Sequence, residues 1–220
     1  MDQTDKTRQI FLVGTIILGA LIVGGLVWAI AMGPGQSNGN IDANIVFNDD
    51  TNPVQGPSDA KATVRIYSDF QCPACKVAEA PLRQVMKDYE GKVRFIWNDF
   101  PLMSLHTNSK SAAIAGRCAQ EQGKFWEFAA KLYDSQEQWS ALPAPSDFFI
   151  NLADSLALDK EHFAACLGQD APAAKVIGDY QEAMGMGLDS TPSFFVNRQK
   201  YVGVLDVNTW HQVLDAQLAK

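Results

Sequence analysis

The apolar positions change period three times along this chain, and each change marks a different kind of segment. Ala62-Thr63-Val64-Arg65-Ile66-Tyr67, within Ala62–Asp69, and Lys92-Val93-Arg94-Phe95-Ile96-Trp97 have the β-branched and aromatic content of strands. Between them, in Pro73–Tyr89, residues Ala78, Leu82, Val85, Met86 and Tyr89 recur at helical spacing and define an inner face. Pro81 lacks a donor inside that helix and predicts a bend, not a stop. A helical block follows. Asn108–Gln122 is alanine-rich, with Ala112, Ile114, Ala115 and Ala119 around Cys118, and Gly123 ends it. Phe125–Tyr133 and Ser146–Leu156 are further helices. Asp159 reads as the N-cap of a short helix closing at Gly168, and Ala171–Met186 as one more. Period two then returns in Ser193–Asn197 and Tyr201–Val204, a hairpin around Arg198-Gln199-Lys200, before an amphipathic Val207–Leu218. The order is β-α-β, a run of helices, then β-β-α.

The N-terminal pattern has no period at all. Ile10 to Met32 contains no charged residue, and a membrane-crossing helix needs about 20 apolar residues. Lys6 and Arg8 precede the run, and the next basic residue is Lys61, so residues 1–9 are expected in the cytoplasm and the rest across the bilayer. Ala29-Ile30-Ala31 resembles a signal cleavage site, but the apolar run exceeds the ~7–15 residues of a signal core. The reading is an uncleaved single-pass anchor over residues 10–32, in contact with lipid. A Gly-, Asn-, Asp- and Pro-rich tether over 33–57 follows, in which Ile45-Val46-Phe47 offers a short strand or a docking point.

Length, composition and charge add bounds. A chain of 220 residues with 47% hydrophobic content holds one ordinary domain, here 58–220, plus appendages. A net charge of −7 argues against nucleic acid as a partner.

Cys72-Pro73-Ala74-Cys75 carries the candidate chemistry. It joins the first strand to the first helix, so Cys72 sits where unpaired N–H groups and the helix dipole favour a thiolate. Pro73 suits the first turn, and Cys75, one turn on, can close a disulfide. The competing reading is half a zinc site. It lacks its other half: Cys118 and Cys166 are far apart in sequence, and His106, His162 and His211 form no short-spaced pair. No metal is expected at the pair on that ground, although a copper- or zinc-handling protein using Cys72 and Cys75 as soft ligands stays as a separate class of function.

With these residues in place, the chain resembles the DsbA-like thiol–disulfide oxidoreductases, which have a thioredoxin fold with a helical insertion. The resemblance covers about 58 to 219 and is carried by Asp69-Phe70-Gln71-Cys72-Pro73-Ala74-Cys75, Gly123-Lys124-Phe125-Trp126, Thr191-Pro192-Ser193-Phe194 and the closing hairpin with its helix. It implies an α/β thioredoxin-like sheet with an inserted all-helical subdomain at about 106–187, behind a single transmembrane helix. It also implies a bacterial cell-membrane protein with an extracytoplasmic catalytic domain. Cys72 and Cys75 would be catalytic, exchanging their disulfide with reduced or unfolded exported proteins. Pro192 would be cis and would turn the Thr191 backbone toward Cys72, where an extended substrate segment can pair. A quinone-linked membrane partner of the DsbB or VKOR type would reoxidise the pair, and no cofactor beyond the redox-active disulfide is implied. A reductase or isomerase of the same fold is the alternative.

The chain departs from the family at two points. Many relatives have His before the second cysteine, where this chain has Ala74, which implies less thiolate stabilisation and a weaker oxidant. The buried carboxylate six positions before the first cysteine is replaced by Ile66. Asp69 is nearer in sequence, either as an electrostatic partner or proton acceptor or as a loop cap. Cys118 and Cys166 are expected as a structural disulfide on compartment grounds, against two free buried thiols. His106, after Phe100-Pro101-Leu102, reads as a satisfied structural histidine.

Overall fold

A computed structural model describes residues 45–220. Five strands form one mixed sheet in the order β1-β3-β2-β4-β5: β1 Val54–Gln55, β2 Ala62–Ser68, β3 Val93–Asp99, β4 Ser193–Val196 and β5 Gln199–Val202. Only β2 and β3 run parallel, which the intervening α1 (Pro73–Asp88) permits as a crossover. β4 pairs antiparallel with β2 and with β5. β2 is thus central, and Val64 and Ile66 are fully enclosed. α1 continues through Pro81 and buries Cys75, Ala78, Leu82, Val85 and Met86, the face expected from its spacing.

The inserted block consists of α2 (Ser109–Glu121), α3 (Phe125–Asp134), α4 (Gln136–Trp139), α5 (Ser146–Ser155), α6 (Lys160–Cys166) and α7 (Asp170–Gly185), and α8 (Val207–Leu218) closes the chain. Gly123 takes φ +73° after α2, where Lys124 N–H donates to Ala119 O and Gly123 N–H to Gln120 O. This paired closure needs a residue at ease in the left-handed region. Asp159 caps α6 by accepting from His162 N–H. The insertion packs on the sheet through aromatic rings, with Phe70 stacked on Trp97 at 4.7 Å and Phe125 against both.

Three details differ from the sequence reading. The hairpin turn is Asn197-Arg198, not three residues from Arg198, so the second strand begins at Gln199. Asn197 adopts φ +55°, a conformation Asn tolerates better than most residues, and this closes the tighter turn. The short α4 was not anticipated; four residues are too few to show a period. Most of the difference lies in the stretch read as tether. From Ile45 onward it packs on the domain. β1 pairs with Ile96 and Phe95, and Gly56 turns the chain where a Cβ would lie 2.1 Å from Val93 O. Ile45–Phe47 forms no strand but does dock, the Phe47 ring lying 3.9 Å from the Arg65 guanidinium carbon and 5.6 Å from the Phe195 ring centre. The anchor expected at 10–32 lies outside the described residues. Among the described residues, no helix is long and apolar enough to cross a membrane.

A buried polar cluster joins the two parts. Arg117 on α2 is fully enclosed and contacts Asp99 on β3 at 2.5 Å and Asp179 on α7. It also donates to Thr51 O and Asn52 Oδ1 of the N-terminal arm. Burial and the neighbouring Asp99 push the Asp179 carboxyl up to about 7, against the pull of Arg117.

Candidate active site

Cys72 is the N-cap of α1, in extended conformation, with Pro73 in the first turn. Its carbonyl accepts from Lys76 N–H at 3.1 Å, the first bond of the helix. Ala74 and Cys75 follow within that turn, so their N–H groups are directed at the Cys72 sulfur, and Cys75 turns inward. Both cysteines are free thiols in this structure.

Thr191 and Pro192 arrive from the loop before β4, joined by a cis peptide bond. The Cys72 thiol donates to Thr191 O at 3.5 Å. Two bonds fix that loop: Gly203 N–H, just after β5, donates to Pro192 O at 2.8 Å, and Ser193 Oγ–H to Ser190 O at 2.9 Å. The Thr191 hydroxyl is buried without a partner.

The electrostatics of the two sulfurs diverge. The Cys75 S–H group, donating to Cys72, does most to bring the Cys72 thiol down to about 5. Burial opposes the fall, while Thr191 and the N–H groups of Cys75 and Ala74 reinforce it. Cys75 moves the other way, well above the ordinary thiol range, because it is enclosed and faces the Cys72 charge. One thiolate and one thiol therefore share the site at neutral pH.

The inserted block frames this pair. Gln136 on α4 donates to Phe70 O and Cys72 O at 2.8 and 3.0 Å. Gln71 donates to Ser140 O and accepts from Asn108 N–H. Tyr133 on α3 meets Ser68 at 2.9 Å, and burial raises its phenol well above the usual range. Sequence reasoning picked out Phe70 and Gln71 only as part of the motif around Cys72, and assigned Gln136, Asn108, Tyr133 and Ser68 no role at the site. Gln136 and Asn108 sit among other polar residues, where a polar side chain is no signal, and the partners are more than thirty residues away in the chain.

Asp69 is fully buried and accepts from Gln71 N–H at 2.8 Å, Leu102 N–H at 2.9 Å and the His106 ring at 2.7 Å. It therefore caps the loop leading into Cys72 and ties it to the loop after β3. Ile66 occupies the familiar carboxylate position and is buried in the core. Cys118 and Cys166 are bonded to each other, joining α2 to the end of α6. A groove of about 700 Å³ is lined by Gln71 and Pro73, the chain neighbours of Cys72, and by Lys76, Val77, His106 and Glu137 among others.

A thioredoxin family model matches residues 48–216. The chain belongs to the thioredoxin family. Its fold is also that of the DsbA-type thiol–disulfide oxidoreductases. BdbD from Bacillus subtilis, in its oxidised form, superposes with a TM-score of 0.70 over 84% of this chain and 99% of that one, at 23% identity. The Wolbachia pipientis protein alpha-DsbA1 gives 0.71 over 79% of this chain and 94% of that one, at 19% identity. Among curated proteins, the Na(+)/H(+) antiporter NhaA 3 of Salinispora tropica is 34% identical over 79% of this chain. The chain spans about a quarter of that antiporter's length, 26%, and antiport is said of that protein alone.

Proposed function

We propose that this family member is a membrane-tethered, extracytoplasmic disulfide oxidase acting on exported proteins. The observation that carries the reading is the division of labour between the sulfurs: Cys72 held down to about 5, Cys75 raised and buried. A stabilised Cys72 thiolate is a good leaving group and favours the reduced form of the pair, which makes the oxidised form an oxidant. A substrate sulfur bonds Cys72 as the Cys72–Cys75 bond opens. A second substrate sulfur then bonds the first and releases the Cys72 thiolate. The edge beside Thr191 accommodates an extended substrate segment by strand addition.

The apolar run at 10–32 supports anchoring in a bacterial cell membrane, with the catalytic part outside the cytoplasm. A quinone-linked membrane protein of the DsbB or VKOR type would then return the pair to its disulfide. Equilibration of the full chain with glutathione buffers tests the direction of exchange. A potential well above that of thioredoxin, about −270 mV, supports oxidation, and one at or below it refutes the proposal. Refolding of a scrambled disulfide substrate in the same buffers separates an isomerase from an oxidase.

A further inference from the structure

The Asp69–His106 pair has one ring nitrogen to spare. Asp69 already accepts from two backbone N–H groups, and its Oδ2 lies 2.7 Å from His106 Nδ1. A carboxylate only accepts, so Nδ1 carries a proton, and in the neutral ring Nε2 holds the lone pair. Among the described residues, no group pairs with Nε2. The imidazole is 19% exposed and lines the groove that Pro73 and Gln71 share. Its loop is held in place by His106 N–H on Leu102 O and by Ser109 Oγ–H on His106 O.

We propose that His106, oriented by Asp69, is the general base that ionises the first substrate thiol arriving at Cys72. The proposal rests on the oxidase reading above. An alkyl thiol titrates near 8.5 and is only a few per cent thiolate at pH 7, so the incoming sulfur, unlike Cys72, needs help. Nε2 takes the proton of the first substrate thiol. That sulfur bonds Cys72 Sγ, the Cys72–Cys75 bond breaks, and its electron pair goes to Cys75. The second substrate thiol gives its proton to Cys75, its sulfur bonds the first, and Cys72 leaves as thiolate. His106 releases its proton to water. Two thiols and a disulfide become one disulfide, one thiol, one thiolate and one proton. The charged groups facing the ring are Asp69 beneath it and, from α1 and α4 along the groove, Lys76 and Glu137, which pair at 2.8 Å.

The test compares full-length parent and His106→Gln in oxidising two kinds of thiol: an alkyl dithiol peptide, and an aromatic thiol already ionised at neutral pH. General bases contribute about 10²–10⁴-fold, so the variant should lose about a hundredfold near pH 6 with the peptide and less than about threefold with the aromatic thiol. Its peptide rate should fall tenfold per pH unit, with a shallower fall in the parent. Asp69→Asn should show the same thiol dependence. Equal losses on both thiols, parallel pH profiles, or a changed Cys72 alkylation profile in His106→Gln would each overturn the assignment. A parent that oxidises neither thiol sinks the oxidase reading itself, and this assignment with it.

Discussion

The Cys72 sulfur lies 3.5 Å from the carbonyl oxygen of Thr191, the residue joined in cis to Pro192. The same threonine carries a buried hydroxyl with no other partner, and hydrogen bonding from Thr191 helps to lower the Cys72 titration. Thr191→Val keeps the shape and removes that donor. A hydrogen bond to a charged group contributes about 1.5–3 kcal/mol, so the Cys72 titration should rise by about one to two pKa units. The pH dependence of Cys72 alkylation reads this directly. An unmoved curve would mean that Cys75 and the helix N–H groups hold the thiolate without Thr191.

The depressed Cys72 titration is also a statement about stability. The folded value is about 5 against an ordinary 9.0, so the reduced protein gains stability that is complete above about pH 9 and is lost as pH falls through about 5. Cys75 is shifted upward, so it adds nothing below the ordinary thiol range and costs stability above it. The melting temperature of the reduced parent should therefore exceed that of Cys72→Ala by a margin that widens steadily from about pH 4 to about pH 7. A margin independent of pH would contradict the shift.

Arg117 has no such freedom to titrate. It is sealed between Asp99 and Asp179, with neither arginine nor Asp99 exposed. Removing one member of a buried charge group leaves the others uncompensated, at a cost of about 3–5 kcal/mol. Arg117→Met should lower the melting temperature on the order of 10 °C. The triple change with Asp99→Asn and Asp179→Asn should recover much of that loss, because no charge is then stranded. If Arg117→Met alone melts like the parent, the cluster contributes no net stability.

These relationships show what the sequence could and could not disclose. The inner face of α1 was legible because its apolar spacing is local, as was the Asp159 cap, which acts three residues away. The cysteine pair announced itself by its position between a strand and a helix. Arg117 did not, because its carboxylate partners stand 18 and 62 residues off. The arm from Ile45 looked like a tether because Gly, Asn, Asp and Pro suit linkers and turns alike. Its contacts with Arg65, Asn98 and β3 are all long-range. His106 was legible as a residue with a partner; which nitrogen the partner used required the loop after β3 to be placed over Asp69.

The Cys118–Cys166 bond closes a separation of 48 residues, from the C-terminal half of α2 to the last residue of α6. Both cysteines are buried in the main core, which also holds Phe128 and Phe163. On the chain-entropy account such a loop restricts the unfolded state by about 4 kcal/mol. The double change Cys118→Ala and Cys166→Ala should therefore lower the melting temperature by on the order of 10 °C while leaving the alkylation profile of Cys72 where it was. The bond lies within the insertion, and Gln136 and Tyr133, which frame the active pair, are held by their own hydrogen bonds. A Cys72 profile that moved with the double change would show that this bond tunes the catalytic pair as well as stabilising the helices around it.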